Sequence, residues 1–529
     1  MKLRWILLLA AARLSAQSSG VSENVNVRVM DIDVVVTEKD GRPVRDLRRD
    51  EFQVRVDRKP VSIDYFAAVQ DSSVREPDLT TLSPDLVLNP FEKAGNASVP
   101  RHFLIFFDAS LSPAGRQRSG EALKELVARM GPSDDAVILA EGGVKVEMLS
   151  DWTSNRENLI SSLVTAEKAR PETLRRLERE RQTIREIDLA GRVAARVSRA
   201  RMHEEEEYRE VARMIAHLNE AISLFGGKPG KKIFLDISGG FEIEPGATLL
   251  AYAERGSVPT LSFRRDVSAE LKSLTERANA MEVTIFTFDA RGLIAPGVEA
   301  SNEPPLAAQS LFAREATQGG LALLAEETGG KAYLTQNRFE GALESVSRDV
   351  SSYYSLGVNL KSLPSESAHR IDVAVDRPGL LVRARKNYTV ESEDQRIETR
   401  VRATLLAETS YADVAVSLKT SPVERDKTSY VLPLRIDVPA HDLTFLPDGD
   451  HAAARVAFYF SAINEQGDNS GISRTEQTLT IPLNESRSAR PVGIRVPIHL
   501  AKGSYRIVVN VRDVESGRMG TARANVKVE

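Results

Sequence analysis

The stretch from Phe103 to Ser112, FLIFFDASLS, constrains the fold of this chain more than any other. Its first five residues are all apolar and predict a short strand buried on both faces, as in a parallel sheet covered by helices. The strand ends at Asp108, and the apolar spacing over residues 119–130 predicts an amphipathic helix. A strand, an acidic loop and a helix in this order indicate an α/β unit whose functional site lies at the carboxyl edge of the sheet.

The loop after this strand carries three oxygen-bearing side chains at alternate positions. Asp108, Ser110 and Ser112 can direct one carboxylate and two hydroxyl groups toward a common point. Such oxygens are the ligands that Mg²⁺ and Mn²⁺ prefer. Asp and Ser are also ordinary residues of turns and helix N-caps. The spacing alone therefore predicts either a cation site or a capped helix.

The composition narrows the possible functions. A chain of 529 residues has room for several domains. Its net charge of -4 gives no indication of a nucleic-acid partner, and we expect none. Cysteine is absent, which excludes disulfide frameworks, thiolate metal sites and cysteine nucleophiles.

The first residues resemble a secretory signal peptide. Lys2 and Arg4 precede an apolar stretch, residues 5–12, and small residues follow near Ala16. We therefore predict a signal peptide over residues 1–17 and export to the periplasm or the cell exterior. Later apolar runs are too short to cross a bilayer, so we expect no transmembrane segment.

The order of strand and helix signals predicts a composite fold. Strands alternate with helices in the middle of the chain, which indicates a doubly wound parallel sheet. Strands without helices lie before and after this unit, and we interpret them as a split β-sandwich into which the α/β unit is inserted. The predicted fold class is therefore α/β plus all-β. The segments are a β unit (21–70), a linker (71–100), the α/β domain (101–350), returning strands (351–390) and a C-terminal immunoglobulin-like β-sandwich (400–529).

One segment inside the α/β domain differs in kind. Residues 166–225 are dense in Glu and Arg, with apolar residues spaced for long amphipathic helices, and we predict a helical hairpin. This hairpin is either a solvated insertion or an arm that binds a partner. His203 is followed by four glutamates, which we interpret as an exposed charged run. Residues 391–398 are interpreted as a charged joint between domains.

The sequence contains no recognisable catalytic motif. A nucleophile elbow, a zinc-binding His-Glu-x-x-His, a phosphate loop and a dinucleotide fingerprint are all missing from it. The seven histidines are scattered without the spacing of metal ligands. We therefore expect a binding or adhesion protein and not an enzyme.

Six sequence blocks in order resemble the von Willebrand factor A (VWA)-related proteins of the acidobacterial type, a branch of the integrin I-like family. They cover about residues 25–390. The blocks are VVVTEKDGRPVRDLRRDEFQV (34–54), FFDASLS (106–112), KKIFLDISGGF (231–241), VTIFTFDARGL (283–293), LALLAEETGGKAY (321–333) and VSSYYSLGV (350–358).

This resemblance implies a metal-ion-dependent adhesion site. In the family, an Asp-x-Ser-x-Ser loop, a Thr and a second Asp hold Mg²⁺, and an acidic side chain of the partner completes the shell. Asp108, Ser110 and Ser112 match the loop, and Thr173 is the candidate threonine. The chain departs from the family where it reads Ser-Gly-Gly over residues 238–240, without the second Asp.

Asp236 lies three residues earlier and does not replace that carboxylate, because strand alternation directs it away from the face of position 239. The resemblance thus implies an exported adhesion protein with a weak or vestigial Mg²⁺ or Mn²⁺ site. The alternative is a metal-independent periplasmic scaffold that binds partners through its helical insertion and β-sandwich.

Overall fold

A computed structural model describes ten ranges of the chain. They are residues 29–78, 98–143, 145–168, 173–255, 264–291, 305–334, 339–359, 368–389, 391–426 and 429–528. The predicted signal peptide and most of the predicted linker lie outside these ranges. The described residues form two compact units, one ending at Ser392 and the other beginning at Glu393.

Five strands precede the α/β unit in the part of the chain that the structure describes. In the second of them the apolar residues Phe52, Val54 and Val56 are buried while the intervening residues are exposed, the alternation of a sheet with one covered face. The strands are β1 (Val29–Thr37), β2 (Phe52–Val56), β3 (Lys59–Val61), β4 (Tyr65–Gln70) and β5 (Ser73–Asp78). Strand β5 lies in the predicted linker, so the linker prediction is wrong for these residues. Its Val74 is buried where β5 pairs with β4.

The described residues of the α/β unit form six strands and eight α-helices. The strands are β6 (Arg101–Phe107), β7 (Asp135–Glu141), β8 (Val146–Thr153), β9 (Lys231–Ser238), β10 (Val283–Asp289) and β11 (Ala332–Tyr333). The helices are α1 (Pro113–Ala128), α2 (Arg156–Lys168), α3 (Thr173–Leu189), α4 (Val193–Ile222), α5 (Ala247–Ala253), α6 (Ser268–Ala280), α7 (Pro305–Glu327) and α8 (Phe339–Ser351).

The six strands form one sheet in the order β11-β10-β9-β6-β7-β8. All neighbours are parallel except β7 and β8. From β6 the chain runs outward through β7 and β8, and it then returns to β9 and runs outward on the other side. The strand order therefore reverses between β6 and β9. The carboxyl ends of strands at such a reversal form a crevice where α/β proteins bind ligands.

The sheet is buried on both faces. Phe103, Ile105 and Phe107 of β6 belong to a core that includes residues of α1, α2 and α8. The alternate residues Leu104 and Phe106 point to the other face and are equally buried. An apolar strand covered on both faces is what the run from Phe103 to Phe107 predicts.

Four strands follow the α/β unit within the same compact unit. They are β12 (Tyr353–Asn359), β13 (Ala368–Val375), β14 (Leu381–Arg383) and β15 (Asn387–Thr389). Strand β12 pairs with both β1 and β4, and β13 pairs with β2. Two sheets result, in the orders β14-β1-β12-β4-β5 and β15-β13-β2-β3. Each sheet therefore combines strands from before and after the α/β unit.

The second compact unit contains one helix and nine strands among its described residues. They are α9 (Glu393–Leu406), β16 (Ser417–Thr420), β17 (Glu424–Asp426), β18 (Ser429–Pro439), β19 (Leu446–Asp448), β20 (His451–Asn464), β21 (Ser473–Pro482), β22 (Pro491–Leu500), β23 (Gly503–Asp513) and β24 (Met519–Val528). Its two sheets share a core that includes Leu434, Phe458 and Val509.

Helix α9 corrects the prediction of a charged joint over residues 391–398. Ile397, Val401 and Leu405 are buried at four-residue spacing, so one face of this polar helix is covered.

The coarse prediction of an α/β fold combined with β-sheets is confirmed. No helix in the described part of the chain is both long and apolar enough to cross a membrane.

Candidate cation site at the carboxyl edge of the parallel sheet

Asp108 follows β6 directly, at the point where the strand order reverses. It is 1% exposed, and both of its carboxylate oxygens accept hydrogen bonds. Oδ1 accepts from the Ser110 backbone N–H at 2.6 Å and from the Ser110 hydroxyl. Oδ2 accepts from the hydroxyl of Ser238, the last residue of β9. The ends of two neighbouring strands thus hold this carboxylate in place.

Ser110 also explains why position 239 is a glycine. Its Oγ accepts a hydrogen bond from the Gly239 N–H at 2.8 Å. A Cβ atom at position 239 would lie 2.6 Å from the same Oγ, which is closer than real Cβ contacts allow. A side chain at position 239 would therefore require Ser110 to move.

The other two predicted ligands, Ser112 and Thr173, both lie at the start of a helix. The Ser112 Oγ accepts a hydrogen bond from the Gly115 N–H at 3.0 Å and is the N-cap of α1, with Pro113 next to it in the first turn. Thr173 is the first residue of α3, and its side chain lies outside the described residues. The structure therefore brings Asp108 and Ser110 together, while Ser112 caps a helix.

Glu141 is a buried carboxylate at this edge that the sequence analysis missed. It is the last residue of β7 and is 5% exposed. Its Oε2 accepts a hydrogen bond from the Ala109 N–H at 3.2 Å, and its Oε1 lies 2.6 Å from Nδ1 of His217 on α4. Because Glu141 ends a strand parallel to β6, as Asp108 does, its position in the sequence could have identified it.

Asp236 also lies near Asp108, on the same face of the sheet, a relation that the sequence analysis did not consider. It pairs across the sheet with Phe106, two residues before Asp108, so strand alternation places both acids on one face. Asp236 is 2% exposed, and its Oδ1 has no hydrogen-bond partner among the described residues. Burial, and then the charges of Asp108 and Glu141, raise the pKa of Asp236 well above its usual value.

Arg116 of α1 is the buried cation of this cluster. It is 1% exposed and donates from Nη2 to the Asp108 carbonyl at 2.8 Å, while Nε and Nη1 have no partner among the described residues. Burial lowers the pKa of Arg116, and the charges of Asp108 and Glu141 oppose this shift. Burial likewise raises the pKa of Asp108, against the hydrogen bonds from Ser110 and Ser238. Three buried carboxyl groups thus face one buried guanidinium group.

A cavity of about 40 Å³ lies against Asp108, Ser110 and Glu141. This volume accommodates one water molecule or one small cation. The helical insertion covers it, because Arg176 and Arg179 of α3 and Arg213 and Met214 of α4 also line the cavity.

The covering helices correct in part the prediction of an exposed charged run after His203, in which Glu206 is indeed exposed. His203, Glu204 and Glu207 are all less than 9% exposed. Glu207 forms an ion pair with Arg176, and the Glu210 Oε1 lies 2.6 Å from Nη2 of Arg179. These pairs join α3 to α4 over the cavity and compensate the glutamates that α4 buries.

The donor set fits a weakly held hard cation. The oxygens of Asp108, Ser110 and Glu141 are suitable ligands, and the cluster has an excess of buried negative charge. A cation at Asp108 would compete with the hydroxyl hydrogens of Ser110 and Ser238. In the described part of the chain, no three His, Cys, Asp or Glu side chains are arranged to bind a metal on their own. Hydroxyl groups, water or a partner would therefore have to complete the shell.

Neither a family model nor a curated protein sequence matches this chain. Among solved structures, the PilB minor pilin from Streptococcus sanguinis is 10% identical over 55% of this chain and 79% of its own, with a TM-score of 0.26. A β-glucuronidase of Bacteroides uniformis is 8% identical over 33% of this chain, at a TM-score of 0.16, and only 19% of its length is covered. Similarities this low carry no argument about function.

Proposed function

We propose that this chain is an exported, non-enzymatic member of the VWA-related proteins that binds another protein at the carboxyl edge of its parallel sheet. A weakly held Mg²⁺ or Mn²⁺ ion at Asp108 contributes to this binding. The observation that carries the proposal is the position of Asp108 and Ser110 of the Asp-x-Ser-x-Ser loop at the strand-order reversal, beside a cavity of one-ion size.

The ligand set in this proposal differs from the family pattern. Glu141 takes the role of the second carboxylate, because position 239 has no room for a side chain. Ser112 is not a ligand, since it caps α1. Ser110 and Ala109 are partly exposed, so an acidic side chain of a partner can approach the cation beside them.

The buried charges support a cation at this position. Asp236 has an oxygen without a partner, and its ionisation is opposed by burial and by two neighbouring carboxylates. A divalent cation nearby would offset this repulsion and favour the ionised forms of all three acids.

Calorimetric titration with Mn²⁺ tests the cation site. We expect a single weak site in the wild-type protein, and its loss in the Asp108→Asn and Glu141→Gln variants. Ser112→Ala is the matched control and should bind as the wild type does. Equal heats for the wild type and Asp108→Asn would contradict the proposal.

A second observation favours the alternative of a metal-independent scaffold. Arg176, Arg179 and Arg213 of the helical insertion line the cavity, so their charges could attract a partner's carboxylate without a cation. Capture of a partner from envelope extract separates the two. Release by EDTA, and loss in Asp108→Asn, supports the cation; binding that resists EDTA but is lost in Arg179→Glu supports the scaffold.

A further inference from the structure

The far end of the α3–α4 hairpin, residues 181–202, exposes an unusual amount of apolar surface. Leu189 is 86% exposed, Met202 65% and Val193 38%. These are three of the six large apolar side chains that are exposed in the described part of the chain, and the other three lie far apart in the sequence. Exposed apolar side chains that are concentrated in one region often mark a surface that contacts another molecule.

The same hairpin end carries a surplus of positive charge. It contains six arginines and only two acidic residues, Glu186 and Asp188. Glu186 is paired with Arg199 at 3.1 Å, and Asp188 accepts hydrogen bonds from Tyr252 at 2.8 Å and from Arg255. The acids are thus already compensated from within the protein.

Two arginines close to Leu189 remain exposed without such compensation. Arg185 and Arg192 are exposed and have no ion-pair partner among the described residues. Arg185 lies one helical turn before Leu189, and Arg192 lies three residues after it. Guanidinium groups therefore flank the most exposed apolar side chain of the hairpin.

The hairpin end is held firmly on its opposite side. Ile187 and Ala200 are fully buried in a small core with Leu249, Leu250 and Ala253 of α5. Arg192, the N-cap of α4, is followed at helical spacing by Ala195, Arg199 and Met202 of α4, and all four are exposed. The apolar and basic side chains are therefore presented together by an anchored scaffold.

We propose that the end of the α3–α4 hairpin docks on the surface of an anionic phospholipid bilayer. A protruding leucine can enter the boundary between headgroups and acyl chains, while flexible arginines on either side reach the lipid phosphates. Such a surface supplies negative charge without fixed geometry, which suits arginines that have no fixed partner in the protein. This surface is separate from the cation site and does not depend on it.

Sedimentation with vesicles tests this inference on the full chain. The probes are vesicles of phosphatidylglycerol and phosphatidylcholine in equal parts and vesicles of phosphatidylcholine alone. We expect binding only to the first, weakened by salt. The Arg185→Glu/Arg192→Glu double variant should bind at least about tenfold more weakly, because each basic residue near an anionic surface contributes about fivefold in affinity. Leu189→Ser should weaken binding several-fold.

The matched controls are substitutions of the same kind elsewhere on the surface. Arg487→Glu/Arg495→Glu removes two exposed arginines of the second compact unit, and Leu446→Ser removes a leucine that is 53% exposed. Both should bind as the wild type does. Equal loss in the controls, or equal binding to both vesicle types, overturns the proposal. Binding to polyglutamate through Arg185 and Arg192, without binding to vesicles, also overturns it and assigns the surface to an acidic protein.

Discussion

Both edges of the parallel sheet bury charged residues, but they differ in how completely these residues are paired. At the amino edge, Asp134 accepts hydrogen bonds from the Gly131 N–H at 2.7 Å and from the Arg101 N–H at 3.2 Å, and it also pairs with the Arg101 guanidinium. Asp135 lies 2.6 Å from Nδ1 of His102 and 2.5 Å from Nζ of Lys228. Each carboxylate at this edge therefore has a cation and several donors.

At the carboxyl edge, the buried groups are left partly unmatched. One oxygen of Asp236 and two nitrogens of Arg116 have no hydrogen-bond partner among the described residues. An unpaired buried polar group costs free energy, so it persists where it has a use other than stability. The comparison indicates that the amino edge contributes to stability, and it is consistent with the binding role proposed for the carboxyl edge.

The first prediction concerns the amino edge and has the largest expected effect. Asp134→Ala leaves the Arg101 guanidinium, which is 14% exposed, without its partner. Breaking a buried pair in this way lowers the free energy of unfolding by about 3 to 5 kcal/mol. Urea denaturation measures the change. Asp40→Ala, which breaks an exposed pair with Arg42, is the control and should lower it far less, because water and salt screen an exposed pair. Equal changes would contradict the assignment of the amino edge to stability.

The second prediction uses pH to contrast one acid from each edge. Burial alone would raise the pKa of Asp135, but the hydrogen bond and charge of His102, and then those of Lys228, outweigh it and lower the pKa. Asp135 therefore stabilises the fold above its unfolded pKa of about 3.9, and this contribution is lost as the pH falls through the folded value. The pKa of Asp236 is raised. Its contribution is most favourable below about pH 3.9 and is lost as the pH rises toward the folded value.

Unfolding measured in EDTA between pH 4 and pH 8 tests this contrast. Relative to the wild type, Asp236→Asn should gain stability as the pH rises, by up to about 1.4 kcal/mol for each pH unit between the unfolded and folded pKa values. Asp135→Asn should be less stable than the wild type throughout this range, with most of its pH dependence below about pH 4. Parallel curves for the wild type and Asp236→Asn would show that this carboxyl group is compensated.

Part of the carboxyl edge could be predicted from the sequence. The apolar run before Asp108 fixes the strand and its end, because five buried residues in a row fit a covered parallel strand. From their spacing, Ser110 and Ser112 could each have been a metal ligand or a helix N-cap. The structure shows that Ser112 is the N-cap of α1. Glu141 could also have been found, since it ends the next strand of the chain.

Other features depend on contacts that sequence spacing does not reveal. Glu207 is buried because Arg176 reaches it from another helix, 31 residues earlier, and a charged run alone indicates exposure. Helix α9 was missed for a similar reason, because its charged residues outnumber the few apolar positions that are buried. The helical insertion could be predicted as a hairpin, but its position over the cavity follows only from packing.

The third prediction separates the two serines of the Asp-x-Ser-x-Ser loop and has the smallest expected effect. Ser112→Ala removes the N-cap of α1 and should lower the free energy of unfolding by about 1 kcal/mol, without any change in Mn²⁺ binding. Ser110→Ala removes a donor to Asp108 and the acceptor for the Gly239 N–H, so it should weaken Mn²⁺ binding. Urea denaturation and calorimetry on the same samples measure both properties. If Ser112→Ala weakened Mn²⁺ binding as much as Ser110→Ala did, Ser112 would be a ligand, and the cation would lie closer to the start of α1 than the cavity beside Glu141 indicates.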